Sequence, residues 1–170
     1  MNLEKLLAPF DPPTISLAHR LRYWLEQQPA ELAYCFLEDG DHHETRLTYE
    51  QLDRKARAVA ARLQQLRMTG QRALLLYPPG LDFVVGFFGC LYAGVVAVPA
   101  YPPRRNRNMH RIQAIADDAA ALVALTVADV AERTTSLLDE DSSLKRLIWL
   151  ATDTVPDEEA DAWQMPTIQE

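Results

Sequence analysis

The side chains that could do chemistry are few, and their spacing decides most of them. His42 and His43 stand beside Asp39, Asp41 and Glu44, and imidazole with carboxylate is a donor set that holds divalent metals. Neighbouring positions on a strand point to opposite faces, so two adjacent imidazoles do not converge on one ion. A polar hairpin is expected there, with no metal ligand assigned. Cys35 sits in the run Ala-Tyr-Cys-Phe-Leu-Glu, and Cys90 in an apolar stretch with no histidine near it. Both are expected as small core residues, not nucleophiles. His19, His42, His43 and His110 fall at polar positions and outline no Ser–His–acid relay. Asp117 and Asp118 stand near the end of a helical segment, where a surface pair is expected. Phosphate loops are missing as well. Gly80, Gly86 and Gly89 fit neither GxGxxG nor GxxxxGK followed by Ser or Thr. Gly86 and Gly89 lie one helical turn apart, a spacing that lets another element approach closely.

One segment keeps a binding reading open. Val98-Pro99-Ala100-Tyr101-Pro102-Pro103-Arg104-Arg105 follows a strand at its carboxyl end, where open α/β folds place ligands. Its prolines hold the backbone extended, and Arg104 and Arg105 could meet a phosphate or carboxylate. The competing reading is a rigid crossover loop. Arginine at a helix N-terminus opposes the helix dipole, which keeps the anion-binding reading in play. Catalytic, cofactor-binding and metal-ligating residues are thus expected to be none within this chain, and substrate-binding residues remain unknown.

The elements that would position such groups follow from periodicity. Residues 14–28 place Ala18, Leu21, Trp24 and Leu25 on one helical face, and Pro29 ends the pattern. Residues 33–38 and 46–48, joined through Asp39-Gly40-Asp41, read as a hairpin. Thr48 and Gln51 form a capping-box pattern ahead of Leu52, Ala56, Val59, Leu63 and Leu66 at spacings of three and four. Arg54, Lys55, Arg57 and Arg62 occupy the other side of that helix, where a solvated face is expected. After Gly70 the pattern changes to strand 73–77, helix 81–93 stopped by Gly94, strand 95–98, helix 107–119, strand 122–126, helix 128–138 and strand 147–150. This alternation implies an α/β fold: a parallel sheet with right-handed crossovers, flanked by helices and preceded by the N-terminal helix and hairpin.

Composition bounds the function. The chain has 170 residues, 48% apolar and 24% charged, a globular balance sufficient for one domain. A net charge of −7 excludes a dedicated nucleic-acid binder, which needs a basic face. Two cysteines make no disulfide framework and no signal-peptide core is seen, so a cytoplasmic location is expected. Residues 83–101 carry no charge over a length that could span a membrane, but Gly94 and Pro99 break the run. A buried helix followed by a strand apolar on both faces explains it without lipid. Residues 1–120 carry 14 basic and 13 acidic side chains, whereas 121–170 carry 3 and 11. From Ala151 onward Asp153, Asp157, Glu158, Glu159, Asp161 and Glu170 stand with no Lys or Arg, which reads as a solvated connection. Trp163, Met165 and Ile168 are apolar there, which suggests a chain cut before its next element.

Two segments resemble a known family. Leu47-Thr48-Tyr49-Glu50-Gln51-Leu52 resembles the first core motif of the adenylate-forming enzymes, an LTYxxL helix start. Cys90-Leu91-Tyr92-Ala93-Gly94-Val95-Val96-Ala97-Val98-Pro99 resembles the second, an apolar helix turning at Ala-Gly into a strand that ends in Val-Pro. The stretch from Leu74 to Arg104 is most similar to fatty acyl-AMP ligases, and the resemblance runs from about residue 15 to 150. It implies the N-terminal subdomain of the adenylate-forming fold at 1–150, with 151–170 an acidic connector to a missing remainder. It also implies a parent that uses ATP and Mg²⁺ to turn a fatty acid into acyl-adenylate, then passes the acyl group to a carrier protein. The family's phosphate loop, nucleotide motifs, hinge and catalytic lysine come later than the two motifs matched. None lies within 1–170, so the piece alone is expected to be inactive and to bind neither cofactor. The other readings are an acyl-CoA or aryl-CoA ligase piece of the same superfamily, or a stand-alone, non-catalytic α/β binding domain.

Overall fold

A computed structural model describes residues 16–40, 42–103 and 109–166. Helix α1, Leu17–Gln27, is capped by Ser16, whose side chain accepts from the His19 N–H. Strands β1, Leu32–Leu37, and β2, Glu44–Thr48, pair antiparallel with Cys35 opposite Arg46. Helix α2, Tyr49–Gln65, starts on the complete capping box of Thr48 and Gln51. Strand β3, Arg72–Leu75, leads into α3, Leu81–Ala93, which ends at Gly94 in the left-handed conformation at φ 68°. β4, Val96–Pro99, α4, Met109–Asp118, β5, Val123–Thr126, α5, Ala128–Ser136, and β6, Ile148–Ala151, complete the alternating series. Short 3-10 turns at Ser143–Arg146, Thr152–Thr154 and Asp157–Ala162 flank the last strand.

The four later strands form one wholly parallel sheet in the order β4-β3-β5-β6. Side chains alternate across it because a strand has period two. On one face Ala73, Leu75 and Tyr77, with Val123 and Leu125, pack against α2 and α3 through Leu52, Ala56, Val59, Leu63, Val85 and Phe88. On the other face Leu74, Leu76 and Ala124 meet Ile112 and Ala116 of α4 and the later Leu138, Leu144 and Leu147. Leu52, Leu63, Leu74, Leu75, Leu76, Leu125 and Leu144 are completely enclosed. Each such side chain contributes about 1.5–3 kcal/mol of burial. The first crossover, through α3, lies on one face and the second, through α4, on the other. They diverge between β3 and β5, so the crevice of the fold opens at the carboxyl ends of those two strands.

Four expectations are corrected. The run Val95-Val96-Ala97-Val98 is not a strand apolar on both sides by necessity of burial. β4 is the sheet's edge, and Val96 is 54% exposed. The fully buried strand is β5, all four residues of which are enclosed. Cys35 is exposed on the hairpin, not in the core, because a two-stranded ribbon has too few neighbours to cover both faces. His42 and His43 lie in the turn before β2, not on a strand, and Asp39 organises them. Its Oδ1 accepts from both backbone N–H groups at 2.8 and 3.0 Å, and its Oδ2 meets His43 Nδ1 at 2.7 Å. Finally, the acidic segment after β6 is packed, as described below.

Cys90 is buried as expected, and burial pushes its thiol up to about 12. Only the thiolate reacts. A disulfide-exchange reagent should therefore label one thiol per chain at neutral pH, Cys35, and reach the second at the rate of unfolding. Cys35→Ser should abolish the fast phase. Rapid labelling of both thiols in the native protein would contradict the packing of α3.

Candidate functional site at the carboxyl edge of the sheet

The crevice between β3 and β5 is built from Tyr77, Thr126 and Thr152, each at or just past a strand end. The Thr126 hydroxyl donates to the Leu76 carbonyl, and the Thr152 hydroxyl donates to the Thr126 carbonyl at 3.3 Å. With its one proton so used, Thr152 Oγ1 accepts from Tyr77 Oη at 2.8 Å. All three side chains are buried. Desolvation drives the Tyr77 phenol far above its usual range, so it remains a neutral donor. The chain of bonds satisfies its own members and ties three strand ends together.

The rim of the crevice is acidic. Asp82, in the first turn of α3, has its carboxyl raised above the usual carboxylate value, chiefly by burial and then by Asp153, with Lys55 opposing. Asp153 Oδ1 accepts from the Ala128 N–H at 2.8 Å and so caps α5, whose own N-cap residue, Val127, has no side chain to do it. Lys55 is engaged with Asp157 at 3.3 Å. This edge can lock strands and cap a helix. Among the described residues of this edge, the cation Lys55 is committed to Asp157. Among the described residues no group of three His, Cys, Asp or Glu side chains could hold a metal ion. In the segment from Val98 to Arg105, the Ala100 N–H extends the ladder to the Leu75 carbonyl at 2.9 Å, and Tyr101 stands 82% exposed. Arg104 and Arg105, which carried the anion-binding reading, lie outside the described residues.

A second polar assembly was missed by the sequence reading. Asp53 of α2 is buried, with Oδ1 accepting from Tyr92 Oη at 2.8 Å and Oδ2 from Arg57 Nε at 2.7 Å. Arg57 Nη1 continues to the Ala160 carbonyl at 3.2 Å. Arg62 forks onto Glu159, with one bond at 3.0 Å, and Gln64 exchanges bonds with the backbone of Gln164. Trp163 stacks on Tyr92 at 5.1 Å and donates its indole N–H to the Tyr92 carbonyl at 2.9 Å. Lys55, Arg57 and Arg62 are therefore not a solvated face, and the acidic segment is their counterpart, whereas Arg54 is exposed as expected. A signal existed in the opposite charges of the two segments, but nothing in either segment located the other. Arg62→Ala should cost about 1 kcal/mol, as expected of a half-exposed pair. It should also raise amide exchange across 157–164 while leaving β3 and β5 protected. Unchanged exchange there would mean the segment is held by Trp163 alone.

Residues 21–169 match the model of a family described as AMP-binding enzyme. The chain belongs to that family. Within it, the chain is 43% identical over 164 residues to a medium-chain-fatty-acid–[acyl-carrier-protein] ligase of Moorena producens, covering 92% of this chain and 27% of that protein. A long-chain-fatty-acid–AMP ligase of Mycobacterium marinum is 34% identical, with 94% and 26% covered. The fold is similar to the crystal structure of a fatty acyl-adenylate ligase from L. pneumophila, with a TM-score of 0.81 and 32% identity over 91% of this chain and 26% of that one. The chain thus spans about a quarter of the length of the AMP-binding enzymes it matches. Among its described residues no helix is long and apolar enough to cross a membrane.

Proposed function

We propose that this chain is the N-terminal subdomain, at 1–150, of an ATP-dependent fatty-acid-activating enzyme, with 151–170 leading into the remainder. The parent forms an acyl-adenylate in the cytoplasm, with Mg²⁺, and passes the acyl group to a carrier protein. The observation that carries this reading is the 43% identity, over 92% of the chain, to a fatty-acid–[acyl-carrier-protein] ligase. The described residues do not themselves fit a triphosphate and its metal. The rim pairs Asp82 with Asp153, and the polar groups beneath it are committed to one another. No catalytic step is assigned to them. Their part is to hold the sheet on which the parent builds its site, so the 170-residue chain alone is inactive.

The test starts with the native polypeptide that carries this segment. Its intact mass should be that of several domains together. It should catalyse ATP–pyrophosphate exchange that depends on added fatty acid, and the isolated chain should not. Acyl transfer to a phosphopantetheine carrier, with none to coenzyme A, separates the carrier-protein reading from an acyl-CoA ligase. A native mass equal to this chain's, or exchange indifferent to fatty acid, would overturn the proposal.

A further inference from the structure

Residues 156–164 lie along α2 and are fastened to it by side chains. Lys55 donates to Asp157 at 3.3 Å, Arg62 Nε to Glu159 at 3.0 Å and Arg57 to the Ala160 carbonyl at 3.2 Å. Gln64 donates to the Gln164 carbonyl at 2.5 Å and accepts from the Gln164 N–H at 3.1 Å. Lys55 and Arg62 stand two turns apart on the helix, as do Arg57 and Gln64, so the tethers form two stripes. At about 1.5 Å per residue α2 covers about 14 Å from Lys55 to Gln64. At the 3-10 rise of about 2 Å residues 157–164 cover about the same distance, so the segment runs in step with the helix. Its apolar anchorage is slight. Within 156–164 only Ala160 is buried, and the half-buried Trp163 stacks on Tyr92. The segment's backbone bonds are local, from the Glu159 N–H to the Pro156 carbonyl and from the Trp163 N–H to the Ala160 carbonyl. Its root is held differently. Thr152 is bonded to Tyr77 and to the Thr126 carbonyl, and Asp153 caps α5.

We infer that residues 156–164 are a salt-gated clasp, which detaches from α2 as one unit about Val155 and Pro156 while the sheet and Thr152 stay in place. The pivot falls where the strand-end bonds stop and the side-chain tethers begin. Val155 and Pro156 are both extended, and no backbone hydrogen bond spans the joint between them. Opening is local because so little apolar surface is released, and such segments open at a fraction of the cost of global unfolding. It is shared because Arg57 grips Ala160 between the tethers at Glu159 and Gln164, so each lost tether leaves the next to order more chain. It is gated by salt because Lys55 and Arg62 keep 44% and 39% of their side chains in water, where added ions weaken both pairs. The open form brings Lys55, Arg57 and Arg62 to solvent beside the exposed Arg54, which turns a neutralised face of α2 into a cationic one. The device needs no nucleotide and no further part of an adenylating enzyme, so its failure would leave the function proposed above standing.

The test is hydrogen exchange in the 170-residue chain, read at four bonded protons: the Glu159, Trp163 and Gln164 N–H groups and the Trp163 indole N–H. The Leu76 N–H, bonded to the Leu125 carbonyl at 2.9 Å within the sheet, is the internal standard. Corrected for intrinsic rates, the four should share one protection factor of at least about tenfold at low salt, and about a hundredfold or more below that of Leu76. Their common dependence on urea should be shallow, whereas that of Leu76 should be the full slope of unfolding. Raising sodium chloride from about 0.01 M to about 1 M shortens the screening length from about 30 Å to about 3 Å, and should lower the shared factor about fivefold. Arg62→Gln should lower all four together about threefold and flatten the salt response. Glu158→Gln removes an acid that no tether uses, and should leave them within about twofold. The urea and salt measurements use the unaltered chain, so they decide the matter whether or not a variant folds. The proposal is overturned if the four protons differ from one another by more than about tenfold, or if they follow Leu76 in size and urea dependence. A shared factor indifferent to salt, or no protection at low salt, overturns it equally.

Discussion

Gly86→Ala should destabilise the protein by about 1–3 kcal/mol, although alanine is the better helix former by about 1 kcal/mol. A Cβ at position 86 would lie 2.3 Å from Tyr77 Oη, 2.7 Å from Cζ and 2.9 Å from Cε2. The ring cannot swing aside cheaply. It is 5% exposed, packs edge-on to Phe83 at 6.3 Å and is fastened to Thr152. Relief therefore means breaking a buried hydrogen bond or shifting α3 off the sheet. Urea unfolding of the single variant and of Gly86→Ala with Tyr77→Phe measures this. Removing the hydroxyl relieves the shortest contact but not the one to Cζ, so the double variant should recover only part of the loss. Gly89→Ala should behave similarly against a different partner, with its Cβ 2.6 Å from Val59 Cγ1, and Val59→Ala should restore part of it. A stabilising Gly86→Ala would mean that helix propensity wins and that Tyr77 does not pack beneath α3.

The second large effect is expected at Asp53. Asp53→Ala removes the acceptor from two donors at once, the buried Tyr92 hydroxyl and the Arg57 guanidinium. Losing one partner of a buried pair costs about 3–5 kcal/mol. Arg57 keeps 29% of its side chain in contact with water, so the lower half of that range applies. The loss should be non-additive with Tyr92→Phe, because a phenylalanine leaves no hydroxyl to orphan. Amide exchange across 157–164 should rise as well, since Arg57 also holds the Ala160 carbonyl. A loss below about 0.5 kcal/mol, typical of a surface site, would show that water replaces the carboxylate freely.

Most of the secondary structure was legible because each element carries its own signal. The capping box at Thr48 and Gln51 marked the start of α2, Gly94 marked the end of α3, and the apolar runs at Leu74 and Val123 separated strands from helices by length. The close approach at Gly86 and Gly89 was readable too, since a glycine pair one turn apart removes two side chains from one helix face. Its partners, Tyr77 and Val59, were not.

What the sequence by itself determined was the α/β alternation, the helix limits and the family likeness, all of which rest on neighbours within a few residues. Strand order lies beyond such neighbours. Ala73–Leu75 and Val96–Pro99 read alike as short apolar runs, yet one is central and the other is an edge, because α3 and α4 cross on opposite faces of the sheet. The same holds for charge. Asp53 and Arg57 are ordinary helix residues by pattern, and Asp157 and Glu159 ordinary surface acids. They become a buried pair and a docked segment only when the chain returns about a hundred positions later to lay residues 157–164 along α2. Burial and pairing are properties of that return, since the cost of desolvating a charge depends on what covers it and not on its neighbours in the chain.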